Sequence, residues 1–145
     1  MAHYRQQIRE RVATTLTGLA TTGSNVFQSR VYPLENNKLP CLLVYTTEEA
    51  SEPIVMTPPR TIEKMLNLVV EAYVKANSNY DDTIDTICQE VEEALYGDRL
   101  INNLAKDSYL ISTEISYNGE GDNPLAIVVM TFEICYHHTE GTLGT

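Results

Sequence analysis

From Ile62 to Val74 the chain alternates. The even positions read Ile62, Lys64, Leu66, Leu68, Val70, Ala72 and Val74; the odd ones read Glu63, Met65, Asn67, Val69, Glu71 and Tyr73. Alternation at period two, rich in β-branched and aromatic residues, predicts a strand with one buried face. At about 3.4 Å per residue it would run roughly 44 Å, longer than the usual strand of about 3–10 residues. Such a strand is expected at the centre of an antiparallel sheet, projecting past it at its start.

The remaining pattern supplies partners and a cover. Tyr4, Ile8, Val12, Leu16 and Leu19 recur at three- and four-residue spacing, with Arg5, Arg9, Glu10 and Arg11 between them, which predicts an amphipathic helix from His3 to Ala20. Val26 to Leu34 reads as a first strand and the apolar run Cys41 to Thr46 as a second, buried one. Ser78 and Asp81 approximate a capping box for a second helix, Tyr80 to Tyr96, with Ile84, Ile87, Cys88, Val91 and Leu95 as its apolar stripe. Leu100, Ile101 and Leu104 suggest a short helical turn. Tyr109 to Tyr117 and Leu125 to Tyr136 read as a hairpin around the turn-forming run Asn118 to Asn123. The order α-β-β-β-α-β-β predicts one α+β domain over residues 1–145. Its sheet has about five strands, antiparallel or mixed, with two helices packed on one face. Residues 137–145 read as a C-terminal tail.

Size agrees with one domain: 145 residues can bury about 68–70% of the unfolded surface. No apolar run nears the roughly 18 residues that span a membrane, and the first residues lack an apolar signal segment, so a cytoplasmic protein is expected. Cys41, Cys88 and Cys135 sit singly in apolar segments and read as buried thiols. Ten basic against twenty acidic residues give a formal charge of −10. That balance argues against a module that grips nucleic acid, though not against one that DNA slides past.

Candidate chemistry is sparse. Asp81, Asp82 and Asp85 diverge around a helix by about 100° per residue and have no further ligand close in sequence. His137 and His138 would point to opposite faces of a strand. Cys135 and His137 would share a face, but a zinc site needs two more ligands, and the sequence supplies none. Gly119-Glu120-Gly121 precedes a strand rather than a helix and is no phosphate cradle. No nucleophile–base motif is present. The expectation is no catalytic residue, no cofactor and no metal.

The loop from Thr47 to Thr61 stands out. Pro53, Pro58 and Pro59 stiffen it, Glu48, Glu49 and Glu52 keep it wet, and Ile54, Val55 and Met56 form an apolar triplet with no place in the core. Long loops of this kind are usually functional or disordered, so a docking arm and a flexible hairpin tip are the two readings open. It reads as an extended docking arm, mobile in the monomer, with Glu48, Glu49, Glu52, Ile54, Val55, Met56 and Arg60 as candidate interface residues.

Several stretches carry a family resemblance: His3-Tyr4-Arg5-Gln6-Gln7-Ile8-Arg9, Val26-Phe27-Gln28-Ser29-Arg30-Val31-Tyr32-Pro33, and Leu39-Pro40 before Leu42-Leu43-Val44-Tyr45. Pro59-Arg60-Thr61, Asp81-Asp82-Thr83-Ile84-Asp85, Leu104-Ala105-Lys106-Asp107, Thr113-Glu114-Ile115 and Gly119-Glu120-Gly121-Asp122 with Pro124 continue it. In order and spacing the chain resembles the minor tail protein U family of tailed bacteriophages, the tail terminators, from residue 3 to residue 136. The segments Glu48 to Pro58 and after Tyr136 fall outside the resemblance. It implies a structural virion protein, made in the host cytoplasm and placed at the head-proximal end of the tail. Six copies would form a ring that caps the tail tube, ends its polymerisation and joins the head. The implied partners are further copies of itself, the tail tube protein and the head-neck connector protein. DNA would pass through without specific binding, and no membrane or enzyme activity is implied. Two rival readings are another neck or head-completion protein and a small acidic enzyme with carboxylates on the second helix.

Overall fold

The computed structural model of the chain describes residues 2–28, 40–76, 79–118 and 124–144. Its elements are helix α1 (Tyr4–Leu16), strands β1 (Val26–Phe27), β2 (Cys41–Pro53) and β3 (Thr61–Lys75), helix α2 (Tyr80–Gly97), and strands β4 (Asp107–Asn118) and β5 (Leu125–Thr139). They form one sheet in the order β1-β2-β3-β5-β4, with β1 parallel to β2 and the other neighbours antiparallel. The predicted α+β order holds, and the alternating strand β3 is the central one.

Register explains the core. On β3, Leu66, Leu68, Val70, Ala72 and Val74 share the face covered by α1 and α2. Their partners Ile134, Phe132, Met130, Val128 and Ala126 on β5 lie on that face too, and β5 alternates half-buried and buried along nearly its whole length. Ile8, Val12 and Leu16 of α1 and all five stripe residues of α2 close the core. The other face is not bare: Leu43, Tyr45 and Val69 form a second, smaller apolar cluster. Buried Glu71 there accepts hydrogen bonds from the hydroxyls of Tyr45 and Tyr73, so β3 buries parts of both faces.

Boundaries differ from the sequence reading for local reasons. α1 stops at Leu16 rather than Ala20, because Thr17 is extended and Gly18 takes φ 95°, a conformation glycine adopts without steric cost. Asn79 stands at the N-cap of α2; Ser78 lies outside the described residues. Residues 29–34 of the expected first strand and the turn at 119–123 also lie outside them. The expected helical turn after α2 is left-handed: Ile101, Asn102 and Asn103 have φ of 49°, 52° and 65°. Left-handed backbone is costly for a β-branched residue; burial of Ile101 and a bond from the Asn102 amide to Asp98 hold it.

The largest difference concerns the arm. Thr47 to Pro53 is not irregular loop but the second half of β2, paired with β3 as far as Pro53↔Ile62. One extra residue between Thr46 and Glu49 makes a bulge, which shifts the side-chain parity and lets pairing resume. Pro53 ends the strand, where a missing amide donor is tolerated. β5 likewise runs on through His137 and His138 to Thr139, beside Thr61, so the tail begins later than expected. Three strands thus project beyond β4, which starts level with Cys135.

Candidate assembly interface

The projecting strands carry a hairpin tip, residues 54–60. The Ile54 amide donates to the Thr61 carbonyl at 2.9 Å and closes it. Arg60 is tied to Glu140: its amide and guanidinium both donate to the Glu140 carboxylate, and the Glu140 amide donates to the Arg60 carbonyl at 2.8 Å. The side chains of Ile54, Val55 and Met56 remain 49%, 47% and 72% exposed. Apolar residues presented together on a braced tip are a common mark of a binding surface.

The seven residues predicted for the interface separate here. Glu48 and Glu52 are exposed on β2, and Ile54, Val55 and Met56 are exposed at the tip. Arg60 is half-buried against Glu140. Glu49 stands apart, because the bulge turns it to the helix-covered face. Its Oε1 accepts from Arg5 at 2.9 Å with Lys64 Nζ 3.6 Å away, and its Oε2 accepts from the Tyr136 hydroxyl at 2.6 Å. Tyr136 is fully buried, packs edge-on against Tyr4, and burial followed by the Glu49 bond raises its hydroxyl pKa well above the phenolic range. Nearby, His3 Nδ1 accepts from the Arg5 amide and caps α1; burial and then the Arg5 charge lower its pKa. The Tyr4 amide donates to the Leu143 carbonyl, so the chain's last described turn also docks on the start of α1. Glu49 is the knot that fastens the arm's base.

A second surface was missed at the sequence level. From Ile111 to Tyr117 every residue of β4 is exposed, including Ile111, Ile115 and Tyr117, and β4 is the sheet's edge. Tyr117 stacks on Tyr80 at 5.5 Å, while Tyr96 is 73% exposed with Arg99 over its ring. Between α2 and β4 lies an open cleft of about 720 Å³, bordered by Glu92, Tyr96, Arg99, Tyr109 and Phe132. The available signal was poor alternation: Tyr109-Leu110-Ile111 is continuously apolar, then the strand turns mixed. An edge strand with exposed apolar side chains offers unpaired backbone to a neighbour.

Asp81, Asp82 and Asp85 are exposed along α2, as expected of solvated charges at a helix N-terminus. Cys41 and Cys88 are buried, and burial pushes the Cys41 thiol up to about 11; Cys135 is only half-buried. Among the described residues no helix is long and apolar enough to cross a membrane.

Among curated protein sequences nothing matches. A solved structure, a chain of the virion of a native gene transfer agent particle, aligns with 94% of this chain and 92% of its own at 10% identity. Its TM-score is 0.39, a loose likeness. The profile of phage minor tail protein U matches residues 3–136, nearly the whole chain. The protein therefore belongs to the phage minor tail protein U family and is a structural component of phage tails.

Proposed function

We propose that the protein caps the tail tube as a homohexameric ring, ends tube polymerisation and offers its other face to the head-neck connector. Family membership across residues 3–136 is the observation that carries this reading. The two exposed surfaces support it. A ring needs a heterologous contact between two different patches on each subunit, and the β4 edge provides an adhesive patch well suited to one side of that contact. The tip at Ile54, Val55 and Met56 projects from the sheet's end and is the part that reaches the tube. The role calls for no catalysis. The head-proximal end of the tail is then the protein's place in the virion.

Charge constrains the ring. Each chain carries −10, so six bring −60 together, a repulsion that assembly must overcome. Part of that charge along the DNA path keeps the channel from gripping phosphates. Added salt screens such repulsion, so ring formation should improve from low to moderate salt. Electron microscopy of tail-bound protein should show a six-fold ring in contact with the end of the tube. A ring bound only to the head connector, or two-fold dimers as the sole virion species, would contradict the reading.

A further inference from the structure

The face of the arm opposite Glu49 carries a cluster that sequence spacing hid. Glu63 of β3 is the direct cross-strand partner of His137 on β5. Cys135 lies two residues before His137 and so on the same face. The Cys135 thiol donates to Glu63 Oε1 at 3.4 Å, and His137 Nε2 lies 3.5 Å from the same oxygen. All three donor atoms lie within 4.8 Å of one another, and all three residues are half-buried. The sequence offered only Cys135 and His137 as a pair; the register adds the third ligand.

We propose that Glu63, Cys135 and His137 bind one zinc-type divalent ion, with water in the fourth position. The donor set is one sulfur, one imidazole nitrogen and one carboxylate oxygen, a combination that tetrahedral zinc takes at about 2.0–2.3 Å. Bonds of that length around a tetrahedral centre hold donors about 3.4–3.6 Å apart, and two of the three separations already fall near that range. A thiolate ligand selects zinc or cobalt over magnesium or calcium. Charge adds a separate reason. Glu52 stands directly opposite Glu63, and Asp107 directly opposite Cys135. Like charges facing across strands are destabilising, and a dication beside Glu63 offsets the Glu52–Glu63 repulsion. The ion clips β3 to β5 within the projecting arm, between the level of Glu49 and the tip. This inference does not depend on ring formation.

The test is titration of the full chain with Co²⁺ in a non-thiol reductant, followed by displacement with Zn²⁺. The expected result is a sulfur-to-cobalt charge-transfer band with tetrahedral-type visible bands, saturating at one ion per chain at micromolar cobalt and abolished by zinc. Cys135→Ser should remove the charge-transfer band. Loss of even an outer-shell partner of a metal site costs about 10–100-fold in affinity, so His137→Ala and Glu63→Gln should weaken binding at least that much. Circular dichroism of each variant checks that it is folded. Zinc should raise the melting temperature of the parent and not of folded Cys135→Ser, while magnesium at the same concentration leaves both unchanged. Absence of a thiolate band at micromolar cobalt, or a band unchanged in folded Cys135→Ser, would overturn the proposal.

Discussion

Glu49 and Met56 belong to one hairpin, yet their surroundings invert what hydropathy suggests. The carboxylate at the arm's base is turned inward, its side chain 10% exposed and bonded to Arg5 and the buried hydroxyl of Tyr136. The thioether at the tip is 72% exposed. Register makes the difference: one extra residue in β2 swings Glu49 under α1, whereas the tip lies beyond the last strand pair and has no face to bury against. The base is thus fastened into the fold, whereas the tip's apolar side chains are left exposed. A buried polar group stabilises only while its partners stay in place, but an exposed apolar group can be changed with little cost to the fold.

Variants at the base should cost most. Tyr136→Ala removes a fully buried ring and orphans a Glu49 oxygen. Aromatic truncations in a core cost about 3–5 kcal/mol, and chemical denaturation should place this one within that range. Glu49→Ala should cost about 2 kcal/mol, below the roughly 3–5 kcal/mol of a deeply buried broken pair, because Arg5 remains 43% exposed. A loss under about 0.5 kcal/mol, the usual effect of a surface change, would show that the base is no knot. A double-mutant cycle of Glu49→Ala, which removes the acceptor, with Tyr136→Phe, which removes the donor, sharpens this. Contacting residues couple by about 0.5–3 kcal/mol, and additive effects would mean the 2.6 Å bond contributes nothing.

The same cluster predicts a shallow pH dependence. His3 is held below its ordinary value of 6.5 by burial first and Arg5 second. The unfolded chain therefore takes up the proton more readily than the fold, so this contribution is complete above pH 6.5 and declines as the pH falls through the lowered folded value. His3→Asn keeps a good N-cap residue and should flatten the slope of stability against pH just below 6.5. An unchanged slope would assign it to other groups.

Much of this contrast was legible in the sequence. The alternation from Ile62 to Val74 marked the central strand, and the spacing of Ile84, Ile87, Cys88, Val91 and Leu95 marked the buried stripe of α2. The exposed triplet Ile54-Val55-Met56 was visible as apolar residues without a periodic frame. What could not be read was parity after an irregularity. A bulge leaves no reliable trace in composition, so Glu49 looked like one more wet loop residue. Register between strands distant in sequence was equally hidden, which is why Glu63 was not placed beside Cys135 and His137. The edge position of β4 showed only as weak alternation, and the left-handed turn at Ile101 ran against its own residue preferences.

The smallest effect on folding should accompany the largest effect on attachment. Replacing Ile54, Val55 and Met56 together with Ser changes only exposed positions, and surface changes usually stay within about 0.5 kcal/mol each. The decisive measurement pairs a melting curve of this triple variant with electron microscopy of tails assembled in its presence. The expected result is a melting curve close to the parent's and tails that remain uncapped and overgrow. A variant that melts far below the parent yet still caps tails normally would place the tip in the core and rule out its role in attachment.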